Sequence, residues 1–350
     1  MGSYKIYLSV ALGAAALAGL VVMGIFLHFV NQPAGDHPQE IIINIQPGMS
    51  LTKVSQLLAR KGLIGNPTTF RLYTYLKGEE GQIQAGEYAL SPTLLPAEIL
   101  DKLTSGQTLV HAVTIPEGFR IQEIADLLAA KGLVQKELFI TETKRPDHIK
   151  ALHIPTKNLE GYLFPDTYRV PKQIGEAQMV QRMVEIFKSK VLNEANLKRA
   201  RELGMSFHEI ITLASLIEKE TGRPEERKLI SAVFHNRLKK KMRLQTDPTV
   251  IFALANFDGN IRKVDLSIDS PYNTYRHHGL PPGPIASPGL AAIDAALHPA
   301  DSKALYFVSR KDGSHQFSNN LQDHNRAVAK YQLRPARGNV SPRPLQGKKG

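Results

Sequence analysis

The sequence predicts an α+β chain with an N-terminal transmembrane helix, a small repeated βα region and then a helix-rich α+β domain. Three observations predict it. Residues 6–30 carry no formal charge, a βα pattern occurs twice at an offset of 70 residues, and beyond about residue 146 helical periodicities alternate with loops rich in Pro, Asn and Tyr. The resulting divisions are a cytoplasmic N-terminus (1–5), the transmembrane helix (6–30), a linker (31–40), the repeated region (41–145), the helix-rich domain (146–332) and a basic tail (333–350).

The first element is the uncharged run. Its 25 residues span about 37 Å as a helix, enough for a hydrocarbon core of about 30 Å. A secretory h-region is shorter, about 7–15 residues, so the run reads as an uncleaved anchor. Lys5 flanks its start and Asp36 follows its end. By the positive-inside rule the N-terminus then stays in the cytoplasm and everything beyond residue 31 lies outside. The linker, NQPAGDHPQE, separates the anchor from the first strand.

The repeat is the second element. Residues 45–64 (IQPGMSLTKVSQLLARKGLI) and 115–134 (IPEGFRIQEIADLLAAKGLV) align without gaps and share eight of twenty positions. Each copy reads as a strand (41–45; 112–115) that ends in a turn at Pro and Gly. A helix follows, entered at Ser50 or Arg120, with apolar residues at three- and four-residue steps such as Leu51, Val54, Leu57 and Leu58. A left-handed Gly stops it. Neither copy can bury its stripe alone, so each should pack on neighbouring strands. The first copy, with Gly48 and Ser50 in the turn and Gly62-Leu63-Ile64 at the end, resembles the LysM-type modules that bind N-acetylated glycans. A βα repeat without a ligand is the alternative.

Composition narrows the chemistry. The chain has no Cys, which excludes disulfides, thiolate zinc sites, iron–sulfur clusters and a cysteine nucleophile. Its net charge of +12 suits an anionic partner. Arg334, Arg337, Arg343, Lys348 and Lys349 place five of those charges in the tail, which reads as a disordered, solvated end. Twelve histidines show no compact ligand spacing, so no metal is expected. There is no phosphate-binding loop and no dinucleotide fingerprint. The cluster Arg237, Lys239, Lys240, Lys241 and Arg243 lacks the interleaved aromatics of a nucleic-acid groove, so no nucleic-acid partner is expected. Ser287-Pro288 reads as a helix N-cap with Pro in the first turn.

The informative helix of the C-terminal region follows Ser206. Ser206 and Glu209 form an S-x-x-E capping box ahead of FHEIITLASLIEKE. On a helical wheel Phe207, Ile210, Ile211, Ala214 and Ile217 share one stripe, and Glu218 falls on it. His208, Thr212, Ser215 and Lys219 form the polar side. A carboxylic acid on an apolar face loses hydration, which raises its pKa toward the range of about 6–7 that a general acid needs near neutral pH. Two arrangements fit. Glu218 either ends the buried stripe beside a cation such as Arg223, or forms the floor of a cleft. Glu220 lies about 200° from it around the helix, so the two are not a glycosidase pair. A second carboxylate would come from elsewhere, such as Asp166 or Asp247.

The string Ala214-Ser-Leu-Ile-Glu218-Lys-Glu-Thr221 resembles the signature of the YceG-like endolytic murein transglycosylases, the MltG family. Further segments match in order and spacing across residues 41–332: 160–168 (EGYLFPDTY), 244–249 (LQTDPT), 270–275 (SPYNTY), 279–285 (GLPPGPI), 296–299 (ALHP), 305–308 (LYFV) and 324–325 (HN). The N-terminal anchor also fits, and the basic tail does not belong to the pattern. The resemblance implies a single-pass inner-membrane enzyme with its catalytic domain on the periplasmic side, a LysM-like region ahead of that domain, and Glu218 as the catalytic acid. Its implied substrate is the glycan strand of peptidoglycan, cut internally between N-acetylmuramic acid and N-acetylglucosamine without water and without a cofactor. It also implies work beside cell-wall synthesis enzymes.

Chemistry suggests roles for the other motif residues. Tyr162, Tyr168, Tyr272 and Tyr275 are candidates to stack on sugar faces. Glu160, Gln245, Thr246, Asp247, Asn273 and Asn325 are candidates to hold acetamido and lactyl groups, or to stabilise loops. Two rival functions remain open: a membrane-anchored glycan-binding scaffold, and a hydrolytic muramidase with a second carboxylate about 5–9 Å from Glu218.

Overall fold

The computed structural model describes residues 2–333, and the expectation made for the basic tail falls on residues outside that range. The described chain is mixed α+β and rich in helix. It divides into two compact units. Unit 1 takes Met1–Val113, Lys131–Leu133 and Tyr168–Gly175, and unit 2 takes Thr114–Ala130, Val134–Thr167 and the chain from Glu176 onward.

Unit 1 opens with α1 (Gly2–Val30). Within it Leu12–Val30 is long and apolar enough to cross a membrane; its side chains are exposed except Phe26, Phe29 and Val30, which are partly covered by unit 1. Strand β1 (Ile41–Ile45) leads into α2 (Leu51–Arg60) and α3 (Pro67–Lys77), and β2 (Gly86–Leu90) returns antiparallel to β1 with Ile43 opposite Tyr88. The order is strand, helix, helix, strand. Helix α4 (Pro96–Thr104) follows, and β3 (Val110–Thr114) pairs with β4 (Thr167–Pro171), the terminal Thr114 and Thr167 falling in unit 2. Strand alternation turns Ile43 and Ile45 inward, where they meet Val54, Leu58, Phe70, Ile99 and Leu103. Each such side chain stabilises by about 1.5–3 kcal/mol when removed from water. Tyr88 is buried with them, and its hydroxyl donates to the Gln84 carbonyl at 2.8 Å.

Both copies of the repeat fold alike at the turn. Gly48 and Gly118 each take φ +76°, and the stops Gly62 and Gly132 take +70° and +67°. This left-handed region is open to Gly without strain. The copies differ at the helix entry. Ser50 caps α2 by accepting the Lys53 N–H. The second copy has Arg120 there, and its helix, α5 (Ile121–Ala130), takes its acceptor from a distance: the Glu160 carboxylate receives the Ile121 N–H at 3.2 Å. That bond lies within unit 2.

Unit 2 continues with α6 (Lys136–Glu142), α7 (Pro146–Lys150), α8 (Glu176–Val191), α9 (Glu194–Glu202) and α10 (Phe207–Glu220). Then come α11 (Arg227–Lys239), α12 (Asp247–Ala253), α13 (Leu290–Leu297), the hairpin β5 (Tyr306–Ser309) and β6 (His315–Ser318), and α14 (Leu321–Val328). Helix α10 packs against α9, α11, α12 and α13, and residues Ile210 through Ile217 are all buried. Two residues of the polar side, Thr212 and Ser215, are therefore covered as well, while Lys219 stays exposed. Thr212 satisfies its hydroxyl on the His208 carbonyl, and Ser215 donates to the Thr212 carbonyl while accepting the Ile285 N–H at 3.0 Å. Helix α13 is capped by Gly289, not by Ser287, whose hydroxyl is buried without a hydrogen-bond partner among the described residues.

Candidate active site

The capping box forms as the sequence predicts: Ser206 Oγ accepts the Glu209 N–H, and Glu209 Oε2 accepts the Ser206 N–H. It fixes the start of α10 and so the height of its last turn. There Glu218 leaves the buried stripe with its side chain 7% exposed. Oε2 accepts the Gly289 N–H at 2.9 Å, and Oε1 lies 3.5 Å from Arg227 Nη2. The cation beside Glu218 is thus Arg227; Arg223 instead donates to the Asp312 carbonyl. Burial, the largest influence, pushes the Glu218 pKa up. The Gly289 N–H opposes that, the Glu117 carboxylate adds to it, and Arg227 opposes it. The net shift is upward from the ordinary carboxylate value.

Three neighbours of Glu218 escape sequence reasoning. Glu117 belongs to the turn of the second repeat, where the first copy has Pro47; an acid in that position was the one signal. Its turn reaches the site through Gly118, whose N–H donates to the Ser287 carbonyl at 2.8 Å and whose carbonyl accepts from Lys219 Nζ at 3.3 Å. Gly289 works by lacking a side chain: a Cβ there would stand 1.8 Å from Glu117 Oε1. Bare Cα and N–H together let one carboxylate lie over Gly289 while another accepts from it. Arg227 Nε is a buried donor with no partner among the described residues, so the site holds spare hydrogen-bonding capacity beside Glu218.

This arrangement predicts a pH effect. If Glu218 is the general acid it has to be protonated to work, so activity should be full below its pKa and fall as pH rises through it. Glu117→Gln removes a negative charge that holds that pKa up. The falling limb should therefore move to lower pH, with the low-pH plateau changed no more than a few-fold. Gly289→Ala should move it the same way, because the new methyl displaces the flexible end of Glu117. A pH–rate profile of each variant checks both.

The other candidates separate into two groups. Gln245, Asp247, Tyr275 and Asn325 line one cavity of about 520 Å³, together with Glu220 and Tyr306. Tyr275 donates to Asp247 Oδ1 at 2.5 Å. Glu220 accepts from the buried Thr246 hydroxyl, and burial pushes its pKa up to about 7. Gln245 sits at φ +50°, a left-handed conformation uncommon for a residue with a side chain. The cavity thus gathers around Glu220, on the far side of the helix from Glu218.

The second group is built into the protein. Tyr162 is fully buried and Tyr168 is 1% exposed, so neither ring offers a face to solvent. His208 Nε2 lies 2.9 Å from the Pro282 carbonyl, which can only accept, so Nε2 carries the proton. Nδ1 then accepts from the Tyr162 hydroxyl at 2.6 Å. Tyr162→Phe leaves that nitrogen without its donor and should cost about 1–3 kcal/mol in denaturant unfolding. Asn273 is also fully buried: its amide donates to the Leu266 and Ile268 carbonyls and its oxygen accepts the Tyr275 N–H. Glu160 caps α5, and burial pushes its pKa up to about 7. Tyr272 is half-buried, its ring 4.7 Å from that of Phe252, on which Arg120 also packs. Asp166 is paired with Lys190 at 2.7 Å, which holds its pKa below the usual carboxylate range.

Against known proteins, the sequence model of the YceG-like family matches residues 43–330. A Bacillus subtilis protein named endolytic murein transglycosylase is 36% identical over 332 residues, covering 89% of this chain and 91% of that protein. A Streptococcus pneumoniae protein of the same name is 31% identical over 323 residues; the match covers 83% of this chain but only 58% of the streptococcal one. A crystal structure of a yceG-like protein from Listeria monocytogenes aligns with a TM-score of 0.57 at 34% identity, covering 82% of this chain and 98% of that one.

Proposed function

The chain belongs to the YceG-like family, and on that footing we propose that it is an endolytic murein transglycosylase, a lyase that cuts peptidoglycan strands internally. The observation that carries the proposal is Glu218: a carboxyl kept toward its protonated form by burial, held by one backbone N–H, with an unpartnered arginine nitrogen beside it. Glu218 first protonates the glycosidic oxygen between N-acetylmuramic acid and N-acetylglucosamine, and the C–O bond breaks. The resulting carboxylate then removes the proton of the muramoyl C6 hydroxyl, whose oxygen closes onto C1. The proton balance returns to its start, the product is a 1,6-anhydro end, and no water is consumed. The substrate's acetamido group or ring oxygen can carry the transient positive charge, so no protein nucleophile is needed.

The cavity of Gln245, Asp247, Tyr275 and Asn325 supports these residues as contacts to a part of the glycan away from the bond at Glu218, since it lies on the Glu220 side of α10. The repeated region, 41–145, is read as LysM-like and glycan-binding, supported in its first part by the strand–helix–helix–strand order of β1, α2, α3 and β2 with antiparallel strands. Residues 6–30 anchor the chain once in the cytoplasmic (inner) membrane, with the catalytic domain on the outer, periplasmic side. Cell-wall synthesis enzymes are the expected neighbours.

A two-carboxylate muramidase is the second reading, and Glu117 is what favours it. Mass analysis of products from purified glycan strands separates the possibilities. Anhydro-muramoyl ends support the transglycosylase, water-added ends the muramidase, and intact strands a binding scaffold.

A further inference from the structure

The anchor is longer than a bilayer requires, and the excess has a place. The 25 uncharged residues span about 37 Å against a core of about 30 Å, leaving roughly one and a half turns at one end. The last turns of α1 are where the protein covers it: Phe26, Phe29 and Val30 pack against the core of unit 1. The Phe26 ring lies 6.3 Å from that of Tyr73 in α3. Helix α3 is therefore held against the C-terminal turns of α1.

That helix has two apolar faces. Phe70, Tyr73 and Thr74 are buried in unit 1. Opposite them, Leu72, Tyr75 and Leu76 occupy an arc of about 100° and are 47%, 68% and 64% exposed. No interior packing accounts for three large side chains left bare on one arc. Arg71 borders them on one side, Lys77 places its ammonium over the Tyr73 ring, and PTTFRLYTYLK contains no acid. A basic helix with an apolar outer face and a tyrosine suits the headgroup boundary, where Tyr is enriched and cations meet anionic lipid.

We infer that the Leu72–Tyr75–Leu76 face of α3 is a membrane-surface contact, seated in the headgroup region of the bilayer that α1 crosses. It rests on the anchor reading of residues 6–30. The face adds a second hold on the membrane and fixes how unit 1 stands on the lipid, which a single helix leaves free to swivel.

The chain has no native Cys, so single-cysteine labelling is unambiguous. Val21→Cys, Leu72→Cys, Tyr75→Cys and Leu76→Cys, each carrying an environment-sensitive fluorophore, are reconstituted as full-length protein in phosphatidylcholine–phosphatidylglycerol vesicles. The vesicles carry nitroxide lipid labelled either near the headgroup or deep in the acyl chain. Position 21 should be quenched by the deep nitroxide. Positions 72, 75 and 76 should lose about half or more of their emission to the shallow nitroxide and respond little to the deep one. Loss of quenching at position 21 overturns the anchor reading itself. Quenching at 21 without quenching at the α3 positions leaves the anchor intact and overturns the inference. Shielding of the α3 positions from aqueous iodide without nitroxide quenching also overturns it, and assigns the face to a second copy or a protein partner.

Discussion

Replacing Glu218 with Gln should lower kcat by two to four powers of ten, the usual worth of a general acid–base group, while the fold persists. The amide oxygen still accepts the Gly289 N–H, so the anchor point of the side chain survives. What disappears is the proton delivered to the leaving oxygen and the carboxylate that takes it back from C6. Stability should change little or rise at neutral pH. The folded-state pKa of Glu218 lies above the ordinary value, so its contribution to stability is full below the ordinary carboxylate range and is lost as pH rises through the raised pKa. A neutral amide escapes that loss. Glu220→Gln is the companion variant, two residues on and facing the other side of α10. It should retain the proton-transfer step and alter KM more than kcat, because Glu220 lines the cavity with Asp247 and Tyr275. Steady-state kinetics on glycan strands, with circular dichroism to verify folding, separate the two glutamates.

The second large effect is on stability. Burial carries the Glu160 pKa from 4.5 to about 7, and the Ile121 N–H only partly opposes it. A raised carboxyl supports folding fully below its unfolded value, near 4.5, and that support drains away as pH rises through about 7. Between pH 4.5 and a pH well above 7 the loss is roughly 3 kcal/mol, at about 1.4 kcal/mol per tenfold change in proton affinity. Glu160→Gln should remove this component while keeping an acceptor for the start of α5. The difference in unfolding free energy between pH 5 and pH 9 should therefore shrink by about 2–3 kcal/mol in the variant, part of the loss having occurred below pH 5. Denaturant titrations at the two pH values measure it. Glu220, also raised to about 7, acts in the same direction. It keeps some solvent access through the cavity, so Glu160 is the cleaner test.

Local signals were readable in the sequence and long-range ones were not. The capping box, the repeated turn with its left-handed glycines and the uncharged run all depend on neighbours within a few residues, and each formed where its pattern stood. The buried polar side of α10 was hidden because Ser215 finds Ile285, 70 residues away. A nearby arginine does stand beside Glu218, but it is Arg227 and not Arg223, since Arg223 turns to the loop at Asp312 and α11 brings Arg227 in from its first turn. Ser287 looked like a cap because Ser before Pro usually is one. The chain instead commits the next N–H after Ser287, that of Gly289, to Glu218, and α13 starts there. Among the motif tyrosines, a sugar-binding role and plain burial are indistinguishable in sequence: Tyr162 spends its hydroxyl on His208, whereas Tyr275 reaches the cavity. Glu117 needed the fold to bring the repeat's turn against the last turn of α10.

The sharpest test follows the oxygen. When glycan strands are cut by the wild-type protein in water enriched in oxygen-18, the new muramoyl ends should carry no label, because C1 is captured by the sugar's own C6 hydroxyl. Heavy oxygen at C1, incorporated during cleavage and in step with it, would mean that water attacked, and that a single glutamate does not perform both proton transfers.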